Sequence, residues 1–176
     1  MYSLLKKVVL LVLPITLLNK SESFFRKIYS FLYLGNNVYC LICQKYFSKF
    51  IVLKNGDKLC PACGSLPRHR RLWLVLTKEV PIHKDDMVLH FSPERCITGK
   101  IKKRFAEKYH TTDYDSKSNT QFHFDITNIE AANETYSYII CYHVLEHIEN
   151  DMQAMKELYR ILRKGGKVII QTSQII

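Results

Sequence analysis

No stretch of the 176-residue chain is apolar for long enough to cross a bilayer as a helix. The best candidate, Val8–Leu18, runs for eleven residues with Pro14 inside it, where a span needs about 20. Lys6-Lys7 ahead of that run has the look of a secretion signal, but no small-x-small cleavage site follows. The G-x-G-x-x-G pattern is absent, so no loop is built to cradle a pyrophosphate. Internal repeats and low-complexity tracts are missing too. Acidic residues are few, 16 against 26 Lys and Arg, which leaves a net charge of +10. That excess suits nucleic acid, an anionic membrane or an acidic substrate and does not choose among them. The cations are spread along the chain, with one dense cluster at Arg68-His69-Arg70-Arg71. Hydrophobic residues are not scarce: at 47% they provide for a packed core and exclude wholesale disorder.

Four of the six cysteines fall in two C-x-x-C pairs, Cys40/Cys43 and Cys60/Cys63, sixteen residues apart. In a chain without a working secretion signal this favours metal over disulfides. Each pair offers two thiolates from one tight turn, and two turns close a tetrahedron around Zn2+. The insert between them carries Tyr46, Phe47, Phe50–Leu53 and Asn55-Gly56-Asp57, a strand, a turn and a strand, as a zinc ribbon requires. Four thiolates leave no open coordination position, so the metal is structural. Cys96 and Cys141 stand alone and read as small core hydrophobes.

Along the chain, residues 1–37 form an apolar and basic helical segment. Leu4, Val8, Leu11 and Ile15 recur at helical spacing there, and residues 4–34 are a candidate for peripheral membrane contact. Residues 38–66 make the ribbon and 67–85 a connecting helix with Leu72, Trp73, Leu76 and Val80 on one face. From residue 86 onward apolar strands alternate with helices. The strands are read at 86–91, 109–113, 121–125, 136–141 and 167–172, with helices near 99–109 and 150–164. Asn150 is the cap of the last helix, with Gln153 as its partner, and Gly165-Gly166 is its stop. Alternation of this kind predicts an α/β fold, a Rossmann-like parallel sheet with helices on its faces.

Ligands of such sheets sit beyond the carboxyl ends of the strands. His90, Ser92 and Glu94 follow the first strand, Asp113 the second, Asp125 the third, and His143, Glu146 and His147 the fourth. An acidic residue some twenty positions past the first turn can take both hydroxyls of a ribose, and Asp113 lies nineteen past Glu94. Asp125 can accept a hydrogen bond from an adenine amino group. With no pyrophosphate loop, the pattern asks for a nucleoside cofactor that carries no phosphates.

The run Tyr136–Thr172, with YHVLEHI, AMKELYRIL and KGGKVIIQT, resembles the class I S-adenosylmethionine-dependent methyltransferases, in particular the type 11 group. CPACGSLPRHRRLWLVL followed by VLHFSPE looks like a subgroup with a cysteine knuckle ahead of the methyltransferase domain. By motif position the resemblance implies S-adenosylmethionine near His90, Phe91, Ser92, Pro93 and Glu94, its ribose at Asp113 and its adenine at Asp125 and Ile126. It implies His143, Glu146 and His147 as bases or acceptor contacts on the methyl-transfer side. HFSPE stands where such proteins carry a glycine-rich loop, and Lys164 where they often have proline before Gly-Gly.

The resemblance implies a seven-stranded sheet, of which five strands are read here, so the expectation is a C-terminally truncated domain, 86–176, of impaired activity. The implied acceptor is a glycan or a small molecule, and the implied location is the cytoplasm. The competing reading is a zinc-ribbon module that holds nucleic acid through Arg68–Arg71, with the α/β part as a passive scaffold.

Overall fold

The computed structural model describes residues 25–80 and 82–172. The helix expected around Leu4–Ile15 lies outside the described residues. Chain contacts divide the protein into two units, Met1–Val75 and Leu76–Ile176.

In the first unit, residues 25–30 are helical and run into a 3-10 turn, Phe31–Tyr33. The cysteine region then folds as two small hairpins. Strand β1 (Val38–Cys40) pairs antiparallel with β2 (Lys45–Phe47), and β3 (Ile51–Val52) with β4 (Lys58–Leu59). Asn55-Gly56-Asp57 forms the second turn, Gly56 taking φ +84, a left-handed value that glycine adopts without strain. Helix α1 (Pro67–Leu74) opens on proline, which suits a first helical turn, and continues as one π-helical turn, Val75–Glu79.

The second unit is a parallel sheet of four strands in the order β6-β5-β7-β8. These are β5 (Val88–Phe91), β6 (Tyr109–Thr112), β7 (Tyr136–Tyr142) and β8 (Leu162–Gln171). Strands β5 and β7 are buried along their whole length, as continuous apolar runs in parallel sheets are. Helix α2 (Arg95–Phe105) joins β5 to β6 and buries Ile97, Ile101 and Phe105 at four-residue spacing. Helix α3 (Asp151–Ile161) joins β7 to β8 and buries Ala154, Leu158 and Ile161. Its cap is the expected one, with Asn150 Oδ1 accepting from the Gln153 amide at 3.1 Å.

The α/β class and the parallel sheet are as expected, and two details differ. Residues 121–125 are not a fifth strand. They touch the sheet edge through a single parallel bridge, Thr112 to Phe122. The cause is side-chain competition: Thr111 O accepts from both Gln121 N and Phe122 N, at 3.1 and 3.0 Å, and Thr112 Oγ1 takes the Phe124 amide at 2.9 Å. No regular ladder can follow from that pairing. Phe122 and Phe124 instead stack on each other, centroids 4.9 Å apart. Nor does Gly165-Gly166 stop α3. The helix ends at Ile161, and Leu162 already pairs with Tyr136; the two glycines lie in an irregularity of β8 before Lys167 meets Tyr138.

Candidate functional site: a four-thiol cluster and a strand-end rim

The thiol cluster comes from two local turns of the same design. Gln44 N donates to Cys40 O at 2.8 Å and Gly64 N to Cys60 O at 3.0 Å. Gln44 and Gly64 both sit at positive φ, +56 and +70, so each C-x-x-C turn closes on a left-handed residue. Cys40 and Cys60 are fully buried, all six cysteines are free thiols, and the four sulfurs lie within 4.8 Å of one another. Cys40–Cys63 and Cys43–Cys60 are both 3.7 Å apart. A tetrahedron with Zn–S near 2.3 Å has edges of about 3.8 Å, so the donor set fits that ion in both chemistry and spacing.

Ser65 completes the shell. Fully buried, it places Oγ 3.2 Å from Cys63 Sγ and 3.5 Å from Cys40 Sγ, the kind of outer contact that fixes a ligand's orientation. Arg70 holds Ser65 in turn, donating to its carbonyl at 2.7 Å and to Lys58 O at 2.9 Å while its guanidinium covers Phe50 at 4.4 Å. Arg68 lies 3.7 Å from Asp57, and His69 Nδ1 accepts from Leu66 N at 3.2 Å. Three members of the Arg68–Arg71 cluster thus have work inside their own unit. Nothing in the sequence singled out Ser65; its position two residues past Cys63 was the available signal.

In the second unit, register sets the rim. Phe91, the last residue of β5, is level with Thr112 of β6 and Cys141 of β7. The residues that follow these strands, Ser92, Asp113 and His143, therefore lie at the same carboxyl end of the sheet, His143 one position further along its strand than the other two. Ser92 and His143 both adopt left-handed backbone, φ +44 and +56, which non-glycine residues hold only where the surroundings impose it. Ser92 N donates to Thr112 O at 2.8 Å and His143 N to Gln171 O at 2.7 Å, so each kinked residue is tied to the neighbouring strand.

The structure treats the expected cofactor residues differently. Ser92 is exposed, and Pro93 and Glu94 are half-buried. Asp113 is half-buried, with Oδ1 accepting from Asp115 N at 3.0 Å. Asp125 is exposed; its Oδ1 receives both the amide and the hydroxyl of Thr127, at 2.8 and 2.7 Å, which holds its carboxyl below the usual range. Phe91 and Ile126 belong to the hydrophobic core beneath the rim, with Leu89, Ile139, Cys141 and Leu158. His90 is buried completely, with Nδ1 2.8 Å from the Tyr109 hydroxyl and Nε2 3.3 Å from Glu94 Oε2.

Among the expected catalytic residues, His143 and Glu146 come together, Nδ1 to Oε1 at 2.9 Å, across the short 3-10 turn Leu145–His147. The Glu146 side chain is 10% exposed and that of His143 23%. A carboxylate on Nδ1 fixes the ring, and Nε2 on its other side is buried. His147 is exposed at the end of the same turn. Cys141, just below, is a buried thiol pushed up to about 12 by desolvation.

Residues 90–170 match the family model described as a methyltransferase domain. The demethylmenaquinone methyltransferase of Staphylococcus haemolyticus is 26% identical over 134 residues, which is 74% of this chain and 50% of that protein. The YcgJ protein of Bacillus subtilis aligns at 16% identity with a TM-score of 0.47, covering 58% of this chain and 50% of that one. A SAM-dependent methyltransferase from Aquifex aeolicus aligns at 13% identity with a TM-score of 0.41, covering 55% and 58%. The chain spans about half the length of the curated relative it matches. The methyltransferase-domain match lies within the parallel-sheet unit, and the four-cysteine knuckle precedes it in the chain.

Proposed function

We propose that the chain transfers a methyl group from S-adenosylmethionine to a small-molecule or glycan acceptor, with Zn2+ holding the cysteine knuckle in shape. The observation that carries this reading is the shared carboxyl end of β5, β6 and β7, which Ser92, Asp113 and His143 follow. It offers carboxylates for a nucleoside and no glycine-rich phosphate loop. Ser92, Pro93, Glu94 and Asp113 would hold the ribose side and Asp125 the adenine, while Phe91 and Ile126 floor the site from the core. The bound cofactor supplies an electrophilic methyl on a sulfonium. The chain's own contribution is to orient the acceptor beside the His143–Glu146 pair, where Glu146 on Nδ1 fixes the ring. His147, exposed beside this pair, is placed for acceptor contact. Calorimetric titration with S-adenosylmethionine tests the reading: saturable heat that is lost in Asp113→Asn is expected, and no heat at millimolar cofactor refutes it.

The partner surface in this reading is an anionic membrane. Phe25, Ile28, Phe31, Leu32 and Leu34 are all exposed around one helical segment, the last three at 65–71%, with Arg26 and Lys27 beside them. No described helix is long and apolar enough to cross a membrane, so the contact is peripheral, from the cytoplasmic side where the thiols stay reduced. Sedimentation with vesicles of anionic lipid, and not with neutral ones, is the expected result; equal recovery with both overturns it.

A further inference from the structure

We infer that His90 is a positioning residue, a buried strut that forces the Ser92-Pro93-Glu94 turn into its left-handed shape without glycine. The inference rests on the reading that this turn receives the cofactor. His90 cannot touch a ligand at the rim, because its side chain is fully buried. It joins two elements instead. On one side its Nδ1 meets the hydroxyl of Tyr109, the first residue of β6, at 2.8 Å; on the other its Nε2 lies 3.3 Å from Glu94 Oε2, at the cap of α2. Tyr109 is itself 2% exposed, and burial keeps its phenol protonated. The Nε2 approach to Glu94 Oε2 is a close contact of two buried polar atoms rather than a hydrogen bond, so the strut bears on Glu94 by packing and charge.

Everything between these anchors is fixed as a result. Phe91 is held in the core, and Ser92 N is tied to Thr112 O at 2.8 Å. Glu94 O receives Ile97 N, Thr98 N and Thr98 Oγ1 at 2.8 to 3.0 Å, which locks the start of α2. Three residues, Phe91 to Pro93, separate His90 from Glu94, and Ser92 at φ +44 absorbs the bend. A side chain at that φ opposes the turn; the strut supplies what glycine would otherwise give.

The separating variant is Tyr109→Phe, which keeps the ring volume and removes one end of the strut far from the rim. Binding of S-adenosylhomocysteine is expected to weaken about tenfold, the scale of one strained residue, and the melting temperature to fall as well, because His90 Nδ1 is left buried without its partner. Adding Ser92→Gly to the same chain restores most of that loss, because glycine adopts the turn unaided. His90→Phe behaves like Tyr109→Phe if it folds. Unchanged affinity in Tyr109→Phe, or a double variant no better than the single, overturns the inference. If the unaltered protein binds no S-adenosylhomocysteine, the methyl-transfer reading fails, and amide hydrogen exchange at Ser92 still decides the strut. Faster exchange in Tyr109→Phe and not in a control at exposed Tyr114 supports it, and equal exchange in both removes it.

Discussion

Arg160→Ala removes the contact set that fastens the 126–135 connection to α3. Every N–H of the Arg160 guanidinium is used. Nε donates to Glu157 Oε1 at 2.8 Å, NH1 to Ala131 O at 2.7 Å and Asn133 Oδ1 at 2.9 Å, and NH2 to Ile129 O and Glu157 Oε2, both at 2.7 Å. Glu157 Oε2 also accepts from Ile129 N at 2.8 Å. Hydrogen bonds to a charged group contribute about 1.5–3 kcal/mol each when buried. The Arg160 side chain is 32% exposed, so water takes over part of what is lost and the sum falls far below five such bonds. The expected cost is about 2–3 kcal/mol, since Glu157, 12% exposed, keeps its charge without its partner. For a domain of this size that lowers the melting temperature by roughly 10 °C. Arg160→Lys restores charge without the fork and recovers less than half. Urea unfolding monitored by circular dichroism, with hydrogen exchange at the Ile129 amide, reads both effects. A change below about 0.5 kcal/mol, the range of ordinary surface substitutions, refutes the assignment.

Other contacts in the molecule have measurable consequences. The Arg160 hydrogen bond holds the Glu157 carboxyl below its usual range, so its stabilisation is fully present above the unfolded value of about 4.3 and fades as pH falls through the folded one. The stability gap between the native protein and Glu157→Gln should therefore shrink in denaturation series taken from pH 6 toward pH 3, and a gap independent of pH contradicts this. Elemental analysis should find one zinc per chain, and chelation should release the amides of the 38–66 segment to exchange while β5–β8 stay protected; parallel loss in both units would show a different dependence. Gly166→Ala would set a Cβ 2.8 Å from the Ser137 carbonyl oxygen and 2.9 Å from that of Arg163, a backbone clash worth about 1–3 kcal/mol. Gly56→Ala meets no atom within 4 Å and costs about 1 kcal/mol through its φ alone.

Local signals carried the sequence analysis well where one element depends on its own residues. Asn150 and Gln153 are three apart and form the cap that spacing predicts. The C-x-x-C turns need only five residues each. Apolar runs such as Tyr136–Cys141 identify buried parallel strands without reference to a partner. What escaped depends on residues far apart in the chain. Alternation in 121–125 reads as a strand, but Thr111 and Thr112 divert its amides to one carbonyl and one hydroxyl. The resemblance places His90 near the cofactor, and only the fold brings Tyr109 to its Nδ1. Arg160 looks like an ordinary charge near a helix C-terminus; its partners on 129–133 are invisible until the connection folds back on α3.

Pairing distance along the chain also carries a history of assembly. Strand β7 meets β8 after a single helical crossover, so that half of the sheet closes on nearby sequence. Strand β5, the middle of the sheet, pairs Val88 with Tyr138 and Phe91 with Cys141, across all of α2, β6 and the loops that follow. Non-local pairing of this kind is slow. As the chain is synthesised, β5 emerges early with one flank bare, and Val88, Leu89 and Phe91 wait for a partner that is made only after α2 and β6. Its unsatisfied backbone edge is then the part of the molecule most open to wrong partners, and the time taken to make Tyr136–Tyr142 sets how long a chaperone would have to guard it.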